Sequence, residues 1–219
     1  MQDDPCRLYL ITPPKIEPAS FAETLAAALD GGDVAALQLR LKDCARDDIL
    51  RAAALLLPIA HSHDVAFIMN DDPALALEAG CDGVHVGQED ASYQDARAIM
   101  GDEATVGITC HGSIDLAMTS ADAGANYVAF GAFFPSVTKD AKGGADPDIL
   151  EFWSSSTIVP SVAIGGITPE NCAPLVSAGT DFLAVVSAVW AHPTEAGGPA
   201  AAVQKFAEAI AESEAEKQV

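Results

Sequence analysis

Ala79-Gly80-Cys81-Asp82-Gly83-Val84 is the stretch from which the rest of the chain can be read. Its pattern returns as Asp30-Gly31-Gly32-Asp33-Val34, as Ala123-Gly124-Ala125-Asn126-Tyr127-Val128 and as Ala178-Gly179-Thr180-Asp181-Phe182-Leu183. Each time a segment rich in alanine or leucine comes first and a β-branched or aromatic run follows. Glycine just past a helix releases the chain through the left-handed region, and a short turn then feeds a strand. The pattern therefore marks helix-to-strand junctions. It is a structural signal and by itself says nothing about chemistry.

With the junctions placed, short and nearly continuous apolar runs read as strands over 7–11, 35–41, 65–69, 83–86, 104–109, 127–133, 161–165 and 182–189. Continuous rather than alternating apolar character indicates strands covered on both faces, as in parallel sheets. Helical segments fall between them, over 21–29, 45–61, 73–78, 93–100, 113–123, 147–154 and 169–177, with a last helix over 200–215. Thr168-Pro169-Glu170 places Thr at an N-cap and Pro at the first helical position of the seventh. This alternation predicts an α/β fold, a (β/α)8 TIM barrel occupying 1–219 as a single domain. A doubly wound open sheet is the alternative. Gly197-Gly198-Pro199 reads as a loop and 212–219 as a frayed end.

The chain has 219 residues, 11 basic against 32 acidic, for a formal charge of −21, and half of it is hydrophobic. That much apolar material builds a core, and a polyanion repels nucleic acid and anionic membranes. No apolar run approaches the roughly 20 residues needed to cross a bilayer. Met1-Gln2-Asp3-Asp4-Pro5 lacks the positive and apolar regions of a signal peptide, so a cytoplasmic location is expected. Cys6, Cys44, Cys81, Cys110 and Cys172 are odd in number and widely spaced, which argues against a disulfide framework and a structural zinc site. They read as small buried hydrophobes.

In a (β/α)8 barrel the active site forms at the C-terminal ends of the strands. Polar residues gather there: Gln38-Leu39-Arg40-Leu41-Lys42, Asn70-Asp71-Asp72, His85 through Asp90, Thr109-Cys110-His111, Ser136-Val137-Thr138-Lys139, Gly165-Gly166, and Ser187. Gln38, Arg40 and Lys42 share one strand face, either a snorkelling edge strand or a polar file able to hold an anion. Asn70, Asp71 and Asp90 offer hard oxygen ligands of the kind Mg²⁺ takes alongside substrate phosphate. Asn70-Asp71-Asp72 before Pro73 can equally be a helix cap and acidic first turn. Ser136 through Gly144 combines hydroxyls, lysines and glycines that could cradle phosphate, or forms an ordinary loop. Gly165-Gly166 before a helix suits a phosphate or a tight turn. His85 reads as a satisfied core histidine and His111 as ambiguous. His61, His63 and His192 read as surface residues.

Taken together, five segments in order at strand ends resemble the thiamine phosphate synthase and thiazole tautomerase superfamily. They are 38–42, Asn70-Asp71, 82–90, 131–139 and 163–167. The resemblance spans the first strand to the last. It implies a transferase that joins a hydroxymethylpyrimidine, supplied as its diphosphate, to a thiazole phosphate with release of diphosphate and with Mg²⁺ as cofactor. It implies that Arg40, Lys42, Lys139 and Thr109 are catalytic and that Asp71 and Asp90 hold the metal. Gln38, Asn70, Ser136 and Thr138 would bind the diphosphate substrate, and Gly166, Val186 and Ser187 the thiazole phosphate. The chain departs from the family at Leu41, Asp72, Thr109 and Ser136; the last two keep a hydroxyl, while Asp72 replaces an arginine. The partners are thus small phosphorylated substrates, without nucleic acid or membrane, and association into a homo-oligomer stays open. A thiazole tautomerase on the same barrel and a non-catalytic phosphate-binding paralogue are the competing readings. Retention of Arg40, Lys42, Asp71, Asp90, Thr138 and Lys139 favours the synthase.

Overall fold

A computed structural model describes residues 5–135, 144–192 and 194–217. Strands and helices alternate: β1 (Arg7–Ile11), α1 (Pro18–Leu29), β2 (Val34–Leu39), α2 (Arg46–Ser62), β3 (Ala66–Asn70), α3 (Pro73–Ala79), β4 (Gly83–Val86) and α4 (Tyr93–Met100). They continue as β5 (Thr105–His111), α5 (Ile114–Ala123), β6 (Tyr127–Gly131), α6 (Asp148–Ser156), β7 (Ser161–Ile164), α7 (Ala173–Ser177), β8 (Phe182–Val185), α8 (Ser187–Trp190) and α9 (Gly198–Lys217). Each strand pairs in parallel with the next, and β8 returns to β1, so the sheet is a closed barrel. Closure removes the edge on which Gln38, Arg40 and Lys42 could have snorkelled.

Why the strands read as unbroken apolar runs is now visible, because each one faces two cores. Leu8, Leu10, Leu37, Leu39, Phe67, Met69, Val84, Val86, Val128 and Phe130 point outward into the layer shared with the helices. The alternate residues Tyr9, Ile11, Ile68, Tyr127, Ala129, Val162 and Ala184 fill the barrel interior. Small side chains are required where the rings are large. A Cβ at Gly107 would lie 1.9 Å from the Tyr127 ring, so this glycine on β5 makes room for that tyrosine.

Glycine ends α3 and α5 as the junction pattern requires, with φ of 71° at Gly80 and 101° at Gly124. Several boundaries shift for local reasons. Helix α1 starts before 21 because Glu17 accepts hydrogen bonds from the Ala19 and Ser20 N–H groups, with Pro18 in the first turn. Strand β2 stops at Leu39, since the Arg40 N–H turns to Thr12 Oγ1 (2.9 Å) and the Lys42 N–H to the Pro14 carbonyl (2.9 Å).

Five expectations are corrected. The strand expected over 182–189 ends at Val185, and Ser187–Trp190 is helical. Thr168-Pro169 does not begin a helix: Asn171 Oδ1 takes the Thr168 N–H at 2.8 Å, a turn follows, and α7 starts at Ala173. Residues 198 and 199 belong to the first turn of α9 rather than to a loop. The last helix is ordered through Lys217, because Ser213 is buried and Glu214 accepts the Cys6 N–H at 3.4 Å. His192 is half-buried rather than a surface residue, and its Nε2 has no partner among the described residues.

Candidate active site

The C-terminal ends of β2, β3 and β4 are adjacent in the barrel, and they bring together four of the charged residues singled out above. Arg40 and Lys42 follow β2, Asp71 follows β3, and Asp90 closes the turn after β4. Lys42 Nζ lies 2.5 Å from Asp71 Oδ2. Asp71 takes a left-handed backbone (φ 67°), sparsely populated by non-glycine residues, while its N–H donates to the His85 carbonyl at 2.8 Å. That conformation turns the carboxylate out of the strand line toward the mouth.

The two carboxylates face each other. At Asp71, burial raises the carboxyl, but the hydrogen bonds from Lys42 and Asp90 and the charges of Lys42 and Arg40 outweigh it, leaving it below the usual carboxylate range. At Asp90, burial raises the group, and the neighbouring Asp71 adds to that rise against the stabilising Gly87 N–H, which donates to Oδ2 at 2.8 Å. A Cβ at Gly87 would lie 2.9 Å from Asp90 Oδ2, so glycine permits this close approach. Two acids that resist joint ionisation, side by side at the barrel mouth, are the donor chemistry a hard divalent cation would satisfy. Among the described residues no cluster of three or more His, Cys, Asp and Glu groups could hold a metal alone. Any further oxygens would have to come from substrate or water.

Asp72, one of the departures from the family pattern, has a separate task. Its carboxylate caps α3 by accepting the Leu75 N–H at 2.9 Å. The cap reading of Asn70-Asp71-Asp72 thus holds for Asp72, while Asp71 faces Lys42 and Asp90. Asn70 is the last residue of β3 and pairs in register with His85.

Gln38 is buried inside the barrel, and its Nε2 donates to Tyr9 Oη at 3.2 Å. Thr109 sits on β5 with Oγ1 2.7 Å from His85 Nε2, and its carbonyl accepts from Gln88 Nε2 at 2.6 Å. Across the mouth, Gly166 lies just beyond β7 and Val186-Ser187 just beyond β8, which are neighbours. Gly165 and Gly166 have φ of 110° and 63°. A Cβ at Gly165 would meet Ala132 at 2.4 Å, and one at Gly166 the Pro135 carbonyl at 2.5 Å. These glycines therefore let the β7 turn pack against the chain leaving β6. Ser136, Thr138, Lys139 and Lys142 lie outside the described residues.

Two participants went unnoticed in the sequence: Tyr9 and Tyr127. Their hydroxyls lie 2.9 Å apart, and Tyr127 Oη is 2.9 Å from His85 Nδ1. Polar tips at inward positions of apolar strands were the available signal. Cys81 and Cys110 are not candidates for nucleophiles, since burial pushes their thiols up to about 12 and about 11.

Comparison with known proteins identifies the family. Residues 8–189 match the family described as thiamine monophosphate synthase. A thiamine-phosphate synthase of Rhodospirillum centenum is 60% identical over 92% of this chain and 96% of its own. One of Erythrobacter litoralis is 49% identical over 94% and 96%. Among solved structures, a thiamine phosphate pyrophosphorylase from Pyrococcus furiosus superposes with a TM-score of 0.81 at 29% identity, covering 94% of this chain and 96% of that one.

Proposed function

This chain belongs to the thiamine monophosphate synthase family and is a transferase that makes thiamine phosphate, and we propose that the residues gathered at its barrel mouth divide that work as follows. Arg40 and Lys42 bind the diphosphate of the pyrimidine substrate, with Gln38 and Asn70 beneath it. The observation that carries this reading is the meeting of two cations with the Asp71–Asp90 pair at three adjacent strand ends. Asp71 and Asp90 would hold Mg²⁺, which when bound neutralises charge on the diphosphate oxygens.

The transfer needs the bond between the pyrimidine methylene carbon and the diphosphate oxygen to break. The electron pair leaves with the diphosphate, and a pyrimidine methyl cation remains. Positive charge already oriented where negative charge develops favours that departure. Arg40, Lys42 and, by the family resemblance, Lys139 supply it, with Ser136 and Thr138 contacting the leaving group. The thiazole nitrogen then donates its lone pair to the cation. Gly166, Val186 and Ser187 hold the thiazole phosphate on the opposite side, and Thr109 stands by the reacting centre. The substrates are therefore small and phosphorylated. A cytoplasmic setting belongs to the same reading, supported by five free cysteines.

Diphosphate release is the measurement that tests it. With both substrates and Mg²⁺ the protein should turn over, and Arg40→Ala should lower kcat about 10²–10³-fold, the usual cost of removing an oriented charge donor. Unchanged turnover in Arg40→Ala would show that the diphosphate lies elsewhere.

A further inference from the structure

A chain of hydrogen bonds crosses the barrel interior from β2 to β5. Gln38 Nε2 donates to Tyr9 Oη (3.2 Å), Tyr9 Oη meets Tyr127 Oη (2.9 Å), Tyr127 Oη meets His85 Nδ1 (2.9 Å), and His85 Nε2 meets Thr109 Oγ1 (2.7 Å). Gln38, Tyr9, Tyr127 and His85 are all buried. The Tyr9 and Tyr127 rings meet edge to face at 5.9 Å, and the imidazole stacks on Tyr127 at 5.6 Å and 18°.

The proton count gives the chain a direction. Tyr9 accepts from the Gln38 amide, and giving its own hydrogen to Tyr127 avoids leaving a buried hydroxyl hydrogen unpaired. Tyr127, having accepted, gives its hydrogen to His85 Nδ1. An imidazole that accepts at Nδ1 and stays neutral carries its proton on Nε2 and donates it to Thr109. Thr109 Oγ1 is then already an acceptor toward the interior, and its own hydrogen is left for the barrel mouth. Burial pushes both phenols well above their ordinary value, which keeps these hydrogens in place.

We propose that Tyr9, Tyr127 and His85 form a one-directional relay from Gln38 that fixes the Thr109 hydroxyl as a hydrogen-bond donor to the bound substrate. The hydroxyl thereby selects an acceptor atom, a ring nitrogen or an anionic oxygen, and disfavours a substrate that presents a donor there. His85 and Tyr127 are positioning residues that act through Thr109. The inference rests on the placement of Thr109 at the reacting centre.

A double-mutant cycle separates the relay from its premise. Tyr127→Phe keeps the ring against Gly107 and His85 and removes only the hydroxyl. It should lower kcat about tenfold, the scale of one misdirected hydrogen bond, with little change in KM. In the Thr109→Val background the same substitution should do nothing further, because no hydroxyl remains to be oriented. A tenfold loss that persists in Thr109→Val would overturn the relay as mere packing. Wild-type kcat in Thr109→Val itself would instead show that Thr109 is misplaced, and the relay would fall with it. Nitrogen-15 spectra of the imidazoles should independently show the His85 proton on Nε2; a proton on Nδ1 would reverse the chain and contradict the proposal.

Discussion

Asp71 and Asp72 are adjacent carboxylates with different surroundings. The left-handed backbone at Asp71 sends its side chain to Lys42 and Asp90, whereas Asp72 lies in extended backbone (φ −113°) and turns back over the first turn of α3. Removing a capping carboxylate costs about 1 kcal/mol. For a domain of this size that is a fall in Tm of about 2–4 °C. Asp72→Ala should therefore lower Tm by that amount in a thermal melt and leave the Mg²⁺ dependence of turnover unchanged. A changed Mg²⁺ dependence would make Asp72 a ligand. The spacing Asn-Asp-Asp-Pro could not separate these roles, since cap and ligand demand the same residue types. Only the sign of φ at Asp71 divides them.

Paired strands and helices set the limits of what could be read ahead. The strands were legible because both faces are covered, which leaves continuous apolar runs. The start of α7 was not, because a turn over 169–171, in which Asn171 Oδ1 accepts the Thr168 N–H, precedes the helix at Ala173. Tyr9 and Tyr127 escaped for another reason: a tyrosine in an apolar run looks like a hydrophobe until its partner, 118 residues away, is known. The ends of α1 and α2 carry a pH-dependent tie. His63, the C-cap of α2, places Nδ1 3.0 Å from the Ile59 carbonyl and Nε2 3.1 Å from Asp30, the C-cap of α1. The Ile59 carbonyl, then Asp30, raise the imidazole above its ordinary value of about 6.5. A raised basic group contributes its stability below the unfolded value and loses it as pH rises through the folded one. His63→Gln should therefore lower Tm at pH 5.5 and have no effect above pH 8. An equal loss at both would show that the tie does not involve protonation.

Across the whole molecule the charge of −21 is unevenly answered. Arg7 pairs with Asp33, Arg46 with Glu78, Arg51 with Asp48 and Lys217 with Glu214. Arg97 binds Asn126 and the carbonyls of Gly101 and Ala104. Arg40 and Lys42 follow β2 at the mouth, Lys42 facing Asp71, so a polyanionic protein keeps local positive charge there. The surrounding excess of acid should make the fold self-repelling and salt-sensitive. Raising NaCl from about 10 mM to about 150 mM shortens the screening length from roughly 30 Å to 8 Å and should raise Tm by several degrees; a fall would mean that surface ion pairs outweigh the repulsion. The central claim concerns the mouth itself, and calorimetric titration of inorganic diphosphate tests it most directly. Asparagine tolerates the left-handed region as aspartate does, so Asp71→Asn changes charge without adding backbone strain. Diphosphate should bind the wild-type protein with Mg²⁺ present, at least tenfold more weakly without it, and show no Mg²⁺ dependence in Asp71→Asn. Equal Mg²⁺ enhancement in both proteins would contradict the assignment of Asp71 and Asp90 as the metal-holding pair.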